Sequence, residues 1–311
     1  MKIVFHYSAG PALAARLARL PGLDVTVCPE DDDAGFAAAM RTADVLWHVL
    51  KRCSAEVIAG APKLRLIQKI GVGVNTIDLG AAAGRGIPVC NLPGTNSQAV
   101  AEMALLLMLA VLRRLPRFDA DLRAGNWACA PSVQDGLGEL HGRTVGLVGY
   151  GAVPHILAPV LRALGCRVIY TSRTAKAEAV ADFVSMNDLL AQSDIISLHI
   201  PQTEETSNLL DAAAFARMQP GTILINTARG GLVDEAALLA ALRSGHLAGA
   251  GLDVFAAEPA AADNPLFALA NVVVAPHVAW LTSGTFDRSL TIAAENCARL
   301  ADGRALLHRV Q

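Results

Sequence analysis

Residues 144–174 constrain the fold more than any other stretch of this sequence. The apolar run Val145–Val148 leads into the glycine-rich segment 149–154, and an apolar-periodic stretch follows from Ile156 to Leu164. A second β-branched run then begins at Arg167. Strand, glycine turn, helix and strand in this order predict a βαβ unit, which holds a dinucleotide pyrophosphate at the N-terminus of its helix.

The glycine motif departs from the usual pattern at its third position. Gly149 and Gly151 fill the first two positions, but Pro154 stands where a third glycine would allow close packing of helix and strand. Proline is tolerated in a first helical turn, because its missing N–H would have no partner there. The main-chain N–H groups of Ala152 and Val153 remain available to a phosphate. An ordinary glycine-rich loop between strand and helix is the alternative interpretation.

The composition excludes several classes of function. The chain has 311 residues, of which 53% are hydrophobic and 17% charged, with a formal net charge of −2 and a pI near 6.4. This length suggests about two domains, each with its own core. The near-neutral charge argues against a nucleic-acid or membrane surface. The six scattered cysteines form no C-x-x-C pair, which indicates buried free thiols in a reducing compartment and no metal site.

No segment of the sequence predicts export or membrane insertion. The first ten residues resemble a strand and not the apolar core of a signal peptide. The most apolar helix, 99–112, is interrupted by Glu102 and is too short to span a bilayer. We therefore expect a cytoplasmic protein.

Alternating short strands and helices divide the chain into two α/β domains. In the first hundred residues no phosphate-binding glycine loop follows the first strand, so that domain has another task. Residues 144–276 hold roughly six further parallel strands, enough for a complete doubly wound domain. The helical segment 283–300 lies beyond it and is expected to return to the first domain. We predict one domain at 97–282, inserted into another made of residues 1–96 and 283–311.

Polar residues follow several of the predicted strands in the second domain. Arg229, Asp253, Glu258 and His277 lie after strands, and functional residues of an open parallel sheet gather at the carboxyl ends of its strands. An arginine grips a planar carboxylate through two parallel hydrogen bonds, and a histidine beside a carboxylate can donate a proton near neutral pH. This set suits hydride transfer to a 2-keto acid. Taken singly, Arg229 could cap a loop, Glu258 could be a solvated loop acid, and His277 could be a structural histidine.

Over nearly its full length the chain resembles the D-isomer-specific 2-hydroxyacid dehydrogenases. The matching stretches, in order, are GVGVNTID (71–78), TNSQAVAEMALLLMLAVLRR (95–114), GELHGRTVGLVGYG (138–151), LHIPQTEETSNLL (198–210), INTARGGLVDEAAL (225–238), AGLDVFAAEP (250–259) and NVVVAPHVAW (271–280). The resemblance implies an NAD(P)-dependent oxidoreductase of the α/β class. Its fold would be two doubly wound parallel-sheet domains, with a Rossmann cofactor domain inserted in a flavodoxin-like substrate domain.

The resemblance also assigns roles to individual residues. Arg229 would orient the substrate carboxylate and carbonyl, and His277, paired with Glu258, would be the general acid/base. The main-chain N–H groups of Val72 and Gly73 would hold the substrate carboxylate. The cofactor-binding residues that the resemblance implies are Gly149, Gly151, Ala152, Val153, Ser172, Arg173, Thr174, His199, Pro201, Thr206, Thr227, Ala228, Arg229, Asp253 (near the nicotinamide carboxamide) and His277. In such enzymes the domains close over the substrate, and helix 97–114 commonly lies at a dimer interface, so we expect a homodimer.

The end of the second strand in the cofactor domain predicts which nicotinamide cofactor is used. NAD-dependent members of the family carry an acidic residue there, which binds the adenosine ribose. In this chain the position falls at Ser172, Arg173 and Thr174, and no acid precedes Glu178. Serine, arginine and threonine donate to a 2′-phosphate, which a carboxylate would repel. We predict a preference for NADP(H); NAD(H) use is the alternative if Arg173 only stacks on the adenine.

Together these features describe a reductase of a small 2-keto acid, of the glyoxylate or hydroxypyruvate type, that forms the D-2-hydroxy acid. An NAD-dependent enzyme similar to phosphoglycerate dehydrogenase is the alternative within the same class. A cofactor-sensing binding protein without turnover, like the transcriptional co-repressors of the family, is the alternative outside it. The sequence does not identify the keto acid. It also leaves open whether Trp280, where the family has a small residue, lines the pocket or only packs.

Overall fold

The computed structural model describes residues 1–127 and 129–311. The chain divides into two compact units, the first formed by Met1–Asn96 and Thr282–Gln311 and the second by Ser97–Leu281. The sequence-based division places the first boundary at the same residue and the second boundary one residue later.

Strands and helices alternate along both units. The strands are β1 (Lys2–His6), β2 (Asp24–Cys28), β3 (Val45–His48), β4 (Leu66–Lys69), β5 (Val89–Cys90), β6 (Thr144–Val148), β7 (Arg167–Thr171), β8 (Asp182–Phe183), β9 (Ile195–Leu198), β10 (Thr222–Asn226), β11 (Leu247–Leu252) and β12 (Val272–Val274). The α-helices are α1 (Pro11–Leu17), α2 (Asp33–Met40), α3 (Ala55–Ala59), α4 (Leu79–Gly84), α5 (Ser97–Arg113), α6 (Leu115–Arg123), α7 (Pro131–Gln134), α8 (Ala152–Ala163), α9 (Met186–Gln192), α10 (Ala212–Arg217), α11 (Glu235–Arg243) and α12 (Ser283–Ala301). Short 3₁₀ turns lie at Gly230–Leu232 and Pro265–Ala268.

The first unit is built on a five-stranded parallel sheet with the order β2-β1-β3-β4-β5. This is the flavodoxin-like doubly wound order. Helix α12 returns to this unit, as expected: the side-chain N–H of Asn296 donates to Gln68 Oε1 at 2.7 Å, and the hydroxyl of Ser289 bonds that of Thr95 at 3.1 Å. Buried side chains such as Phe5 and Trp47 fill the core of the sheet.

The second unit has a seven-stranded parallel sheet with the order β12-β11-β10-β9-β6-β7-β8. Its strand order reverses between β6 and β9, which is the Rossmann arrangement, so the predicted fold class is confirmed for both units. The expected number of roughly six strands is one too low. Strand β8 consists of two exposed residues and is therefore too short to give a periodic signal.

In two helices of the second unit, one end lies at a different residue from the one that the apolar sequence pattern predicts. Helix α8 starts at Ala152 and not near Ile156, since its first turn consists of the residues that follow the glycine loop. Helix α5 ends at Arg113, because Arg114 adopts a left-handed conformation with φ of 49° before α6 begins. None of the helices in the described part of the chain combines the length and apolar character needed to cross a bilayer.

Candidate active site

The loop between β6 and α8 has the geometry of a phosphate-binding turn. Gly149 has φ of +98°, and a Cβ there would lie 2.6 Å from the carbonyl oxygen of His199, so only glycine fits. Gly151 is the N-cap of α8 and offers no side-chain cap. A Cβ on Gly151 would meet nothing within 4 Å. The first N–H groups of α8 therefore face open space, which suits a pyrophosphate.

Pro154 is compatible with this turn. It is buried and is the third residue of α8, where a main-chain N–H would have no helical partner. The helix closes its first turn with the N–H of His155, which donates to the Gly151 carbonyl at 3.1 Å. The N–H groups of Ala152 and Val153 are thus the donors that α8 can offer to a phosphate.

Two tyrosines hold the loop that follows β7, and the sequence analysis did not identify them. The hydroxyl of Tyr170 accepts from the N–H of Lys176 at 2.7 Å, and that of Tyr150 accepts from the N–H of Val180 at 3.1 Å. Both rings are buried and lie 4.3 Å apart. The available signal was one tyrosine in the glycine loop and one in the apolar sequence of β7, since a buried phenol needs a hydrogen-bond partner.

The tip of this loop presents the residues predicted to select the cofactor. Arg173 and Thr174 are exposed. The hydroxyl of Ser172 donates to the carbonyl oxygen of Thr174 at 2.6 Å, so it shapes the loop. The carboxylate of Glu178 lies 3.3 Å from His155 Nε2.

Other residues implied in cofactor binding lie after β9 and β10. His199 Nε2 is 2.9 Å from the hydroxyl of Ser197, and burial lowers the pKa of His199 to about 4, so its ring is neutral. The hydroxyl of Thr206 donates to the carbonyl oxygen of Pro201 at 2.8 Å. The hydroxyl of Thr227 is buried and has no hydrogen-bond partner among the described residues. A buried hydroxyl without a partner, just after the carboxyl end of β10, is expected in a site that a polar ligand completes.

Arg229 is fixed by its own loop at the carboxyl end of β10. The side-chain N–H of Asn226 donates to the Arg229 carbonyl at 2.8 Å, and Arg229 Nη1 donates to the carbonyl oxygen of Ala228 at 2.6 Å. Burial lowers the pKa of the guanidinium, and the nearby Glu258 carboxylate opposes this shift. The next residue, Gly230, has to be a glycine, because a Cβ there would overlap the main chain of Phe255. The loop therefore holds a charged guanidinium close to a carboxylate.

Glu258 and His277 form a hydrogen-bonded pair. His277 Nδ1 lies 2.6 Å from Glu258 Oε2, and the other carboxylate oxygen accepts from the N–H of Phe255 at 3.0 Å. Burial raises the pKa of the Glu258 carboxyl, but the hydrogen bond from His277 and the charges of His277 and Arg229 outweigh burial, so the net pKa is lowered. An ionised Glu258 accepts a hydrogen bond from the Nδ1–H of His277. The other ring nitrogen, Nε2, is then left for acid–base chemistry.

The main chain around His277 is held by a buried acid and a buried indole. Asp253 is fully buried, and its two carboxylate oxygens accept from the N–H groups of Val278 and Ala279, each at 2.8 Å. Trp280 is 7% exposed, and its indole N–H donates to the carbonyl oxygen of His277 at 3.0 Å. Burial raises the pKa of Asp253, and the two N–H groups oppose that shift. Asp253 and Trp280 thus position the turn that carries His277, a task the sequence analysis did not assign to either residue.

The predicted substrate loop lies in the first unit, after β4. The side-chain N–H of Asn91 donates to the Val72 carbonyl at 2.9 Å, and the N–H of Leu92 donates to the Gly71 carbonyl at 2.8 Å. Both carbonyls are therefore engaged with the segment after β5. Val72 is 43% exposed, and Gly73 is partly exposed.

Residues 105–279 match the family model described as D-isomer specific 2-hydroxyacid dehydrogenase, NAD binding domain. The chain belongs to the D-isomer specific 2-hydroxyacid dehydrogenase family. Its second unit is therefore the nicotinamide-binding Rossmann domain of that family, and the predicted membership is confirmed.

Relatives within the family carry more than one name. The chain is 44% identical over 275 residues to the D-3-phosphoglycerate dehydrogenase of Mycobacterium tuberculosis, covering 87% of this chain and 51% of that protein. It is 40% identical over 274 residues to the glyoxylate reductase of Aeropyrum pernix, covering 85% of this chain and 82% of that enzyme. The chain thus spans about half the length of the phosphoglycerate dehydrogenase it matches.

A solved structure shows the same fold over the whole chain. The TT0316 protein of Thermus thermophilus superimposes with a TM-score of 0.89 at 38% sequence identity, covering 100% of both chains. Both units of this family member, and not only the cofactor domain, therefore have a counterpart of known structure.

Proposed function

We propose that this protein reduces a small 2-keto acid, of the glyoxylate or hydroxypyruvate type, to the D-2-hydroxy acid with a nicotinamide cofactor. The observation that carries the proposal is the contact of 2.6 Å between His277 Nδ1 and Glu258 Oε2. A histidine that donates through Nδ1 to an ionised carboxylate keeps Nε2 as the atom that exchanges a proton with substrate. Arg229, in the same unit, supplies the cation that a keto acid requires.

The residues fit a dinucleotide, since the open N-terminus of α8 and the unpartnered hydroxyl of Thr227 provide donors for it. The bound cofactor would supply the hydride. Arg229 binds the carboxylate and the carbonyl oxygen of the keto acid through two of its N–H groups. His277 donates the Nε2 proton to the oxygen as it gains negative charge, and Glu258 stabilises the imidazolium that precedes this donation.

Further residues, some in the first unit and some in the second, have proposed binding roles. The N–H groups of Val72 and Gly73 in the first unit bind the substrate carboxylate, and the engagement of the Gly71 and Val72 carbonyls by Leu92 and Asn91 supports a fixed loop. Asp253 keeps its proposed place near the nicotinamide carboxamide and in addition holds the turn of His277.

A panel of 2-keto acids tests the activity. Purified protein is assayed with glyoxylate, hydroxypyruvate, pyruvate and 3-phosphohydroxypyruvate, each with NADPH and with NADH. Turnover of one of the unphosphorylated acids, with the D-isomer as product, is the expected result. Tight cofactor binding without turnover of any acid would instead support the binding-protein alternative.

We further propose that NADP(H) is preferred over NAD(H). The support is the exposed Arg173 and Thr174 at the tip of the loop after β7, together with the lack of an acidic residue between β7 and Glu178 in the sequence. The comparison of kcat/KM for NADPH and NADH tests the preference. A tenfold higher value with NADH would overturn it.

The 44% identity to a phosphoglycerate dehydrogenase favours a second candidate function. In that case 3-phosphohydroxypyruvate would be the best substrate of the panel and NADH the better cofactor. The ratio of kcat/KM for 3-phosphohydroxypyruvate and hydroxypyruvate separates the two candidates.

We also propose a homodimer. Helices α5 and α6 expose Leu106, Leu109, Leu115 and Leu122 by 39–56%, and Trp127 beyond them is 90% exposed. Large apolar side chains clustered along one stretch of surface mark an interaction site. Light scattering coupled to size-exclusion chromatography should give the mass of two chains, and Leu106→Glu combined with Leu115→Glu should reduce it to one.

A further inference from the structure

A cavity in the second unit contains three arginines that the proposed reaction does not use. It has a volume of about 170 Å³ and lies at the amino ends of β10, β11 and β12. Arg114, Arg117 and Arg143 line it, and no aspartate or glutamate of the described chain does. The residues proposed for catalysis follow the carboxyl ends of the same strands, and none of them lines the cavity. The cavity is therefore separate from the dinucleotide loop and from His277.

Arg114 is the best-placed cation of this cavity. Its side chain is partly buried, and within the described residues neither a hydrogen bond nor an ion pair engages its guanidinium. The guanidinium lies against Gly136, where a Cβ would be 3.2 Å from Arg114 Cζ. A cation that is partly removed from water without a counter-charge is costly. An anion in the cavity would offset that cost.

Arg143 and Arg117 add charge to the same space. Arg143 donates through Nε to the carbonyl oxygen of Glu139 at 2.8 Å, which leaves its two terminal nitrogens for a ligand. A Cβ on Gly138 would lie 2.6 Å from one of them, so glycine makes room for this guanidinium as well. Arg117 has a carboxylate neighbour, Asp121, at 3.6 Å. The three guanidinium groups, of which that of Arg117 has a carboxylate neighbour, repel each other, and an anion between them would offset that repulsion.

We propose that this cavity binds a compact oxyanion of the phosphate type, either free or as the phosphate group of a small metabolite. Planar guanidinium groups recognise phosphate through paired N–H donors. The volume suits a single phosphate group and is too small for a nucleotide. Arg114 and Arg143 supply the principal contacts, and Arg117 contributes the outer charge.

Calorimetric titration of the protein saturated with its nicotinamide cofactor tests the site, since the dinucleotide loop is then filled. Sodium phosphate and glycerol 3-phosphate are titrated into wild-type protein, with sodium chloride of equal ionic strength as the reference. We expect one binding event in the wild type and about tenfold or weaker binding in Arg114→Gln and in Arg143→Gln. Arg114→Lys should bind with intermediate affinity, and Arg41→Gln, an exposed site in the first unit, should match the wild type.

The two probes distinguish the sources of the anion, because tighter binding of the ester identifies a phosphorylated metabolite and tighter binding of phosphate identifies the free ion. Circular dichroism and cofactor affinity of each variant verify folding. If the heats of titration equal those measured with sodium chloride, the proposal is overturned. It is also overturned if added glyoxylate abolishes phosphate binding, because the phosphate would then occupy the substrate site. A dimer that dissociates in Arg114→Gln, without phosphate binding in the wild type, would show that a second copy fills the cavity and would overturn it too.

Discussion

The main-chain N–H of His277 donates to the carbonyl oxygen of Asp253 at 2.7 Å. The Asp253 carboxylate then accepts from the next two N–H groups of the chain, those of Val278 and Ala279. His277 itself has φ of 55°, a conformation that a non-glycine residue adopts at a cost. A buried acid at the end of β11 thus fixes the direction of the histidine proposed to donate the proton.

Replacing Asp253 should reduce both stability and catalysis. In Asp253→Ala the buried N–H of Ala279 and the partly buried N–H of Val278 lose their acceptor, and a buried unsatisfied group costs about 1–3 kcal/mol. We expect a lower midpoint of urea unfolding and a lower kcat, because His277 loses its support. Asp263→Asn, an exposed acid in a loop of the same unit, serves as the matched control and should behave as the wild type.

The Glu258–His277 pair should determine the rate of the chemical step. Glu258→Gln removes the charge that stabilises the imidazolium, and a charge-assisted hydrogen bond is worth about 1.5–3 kcal/mol, so kcat should fall about ten- to hundredfold. His277→Ala removes the donor and should lower kcat by about 10²–10⁴-fold. Single-turnover kinetics with saturating cofactor measures both effects. A normal rate in His277→Ala would exclude this residue from the mechanism.

Gly151 and Gly149 should respond differently to alanine. A Cβ at Gly151 has open space around it, so Gly151→Ala should keep the melting temperature and crowd only the bound pyrophosphate. Overpacking costs about 1–3 kcal/mol, which corresponds to a cofactor Kd roughly ten- to hundredfold higher. Gly149→Ala should lower the melting temperature as well, because its Cβ meets the His199 carbonyl and its φ is +98°. Equal cofactor affinity in Gly151→Ala and the wild type would contradict the proposed phosphate site.

Arg173 should discriminate between the two cofactors. Arg173→Ala removes one charge-assisted contact with a 2′-phosphate, worth about 1.5–3 kcal/mol, and should lower kcat/KM for NADPH at least tenfold. The value for NADH should change little. If both values fell equally, Arg173 would act on a part of the cofactor that NADPH and NADH share.

Stability should depend on pH through three histidines whose pKa is lowered by burial, His6 and His48 in the first unit and His199 in the second. Burial lowers the pKa of His6 and of His199 to about 4, from an ordinary value of 6.5. Between these pH values the unfolded chain binds more protons at these histidines than the folded one does. Their contribution to the free energy of unfolding is therefore complete above pH 6.5 and decreases as the pH falls to about 4. His6 and His199 each contribute up to roughly 3 kcal/mol.

Urea unfolding at pH 5 and at pH 7.5 measures this dependence. His199→Gln should reduce the difference between the two free energies of unfolding, because glutamine does not titrate. His141→Gln, at an exposed position, should leave the difference unchanged. An undiminished difference in His199→Gln would show that this histidine is not the group responsible.

The sequence by itself determined the order of the elements and the position of the dinucleotide turn. Strands β2 and β10 have the bounds that their apolar and β-branched runs predict, at Asp24–Cys28 and Thr222–Asn226. The positive φ of Gly149, +98°, belongs to the local glycine turn, whereas the close approach of the His199 carbonyl to the same residue is a tertiary contact. The positions of Glu258 and His277 after strands of a parallel sheet also predicted that they would lie at one edge.

Only the tertiary structure decided how those residues are held. The partners of Asp253 lie 25 and 26 residues away along the chain, and the hydroxyl of Tyr150 reaches a residue 30 positions away. Arg114 and Arg143 share a cavity although they are far apart in sequence. Such contacts depend on strand register and on how helices pack against the sheet, which a local residue pattern does not encode.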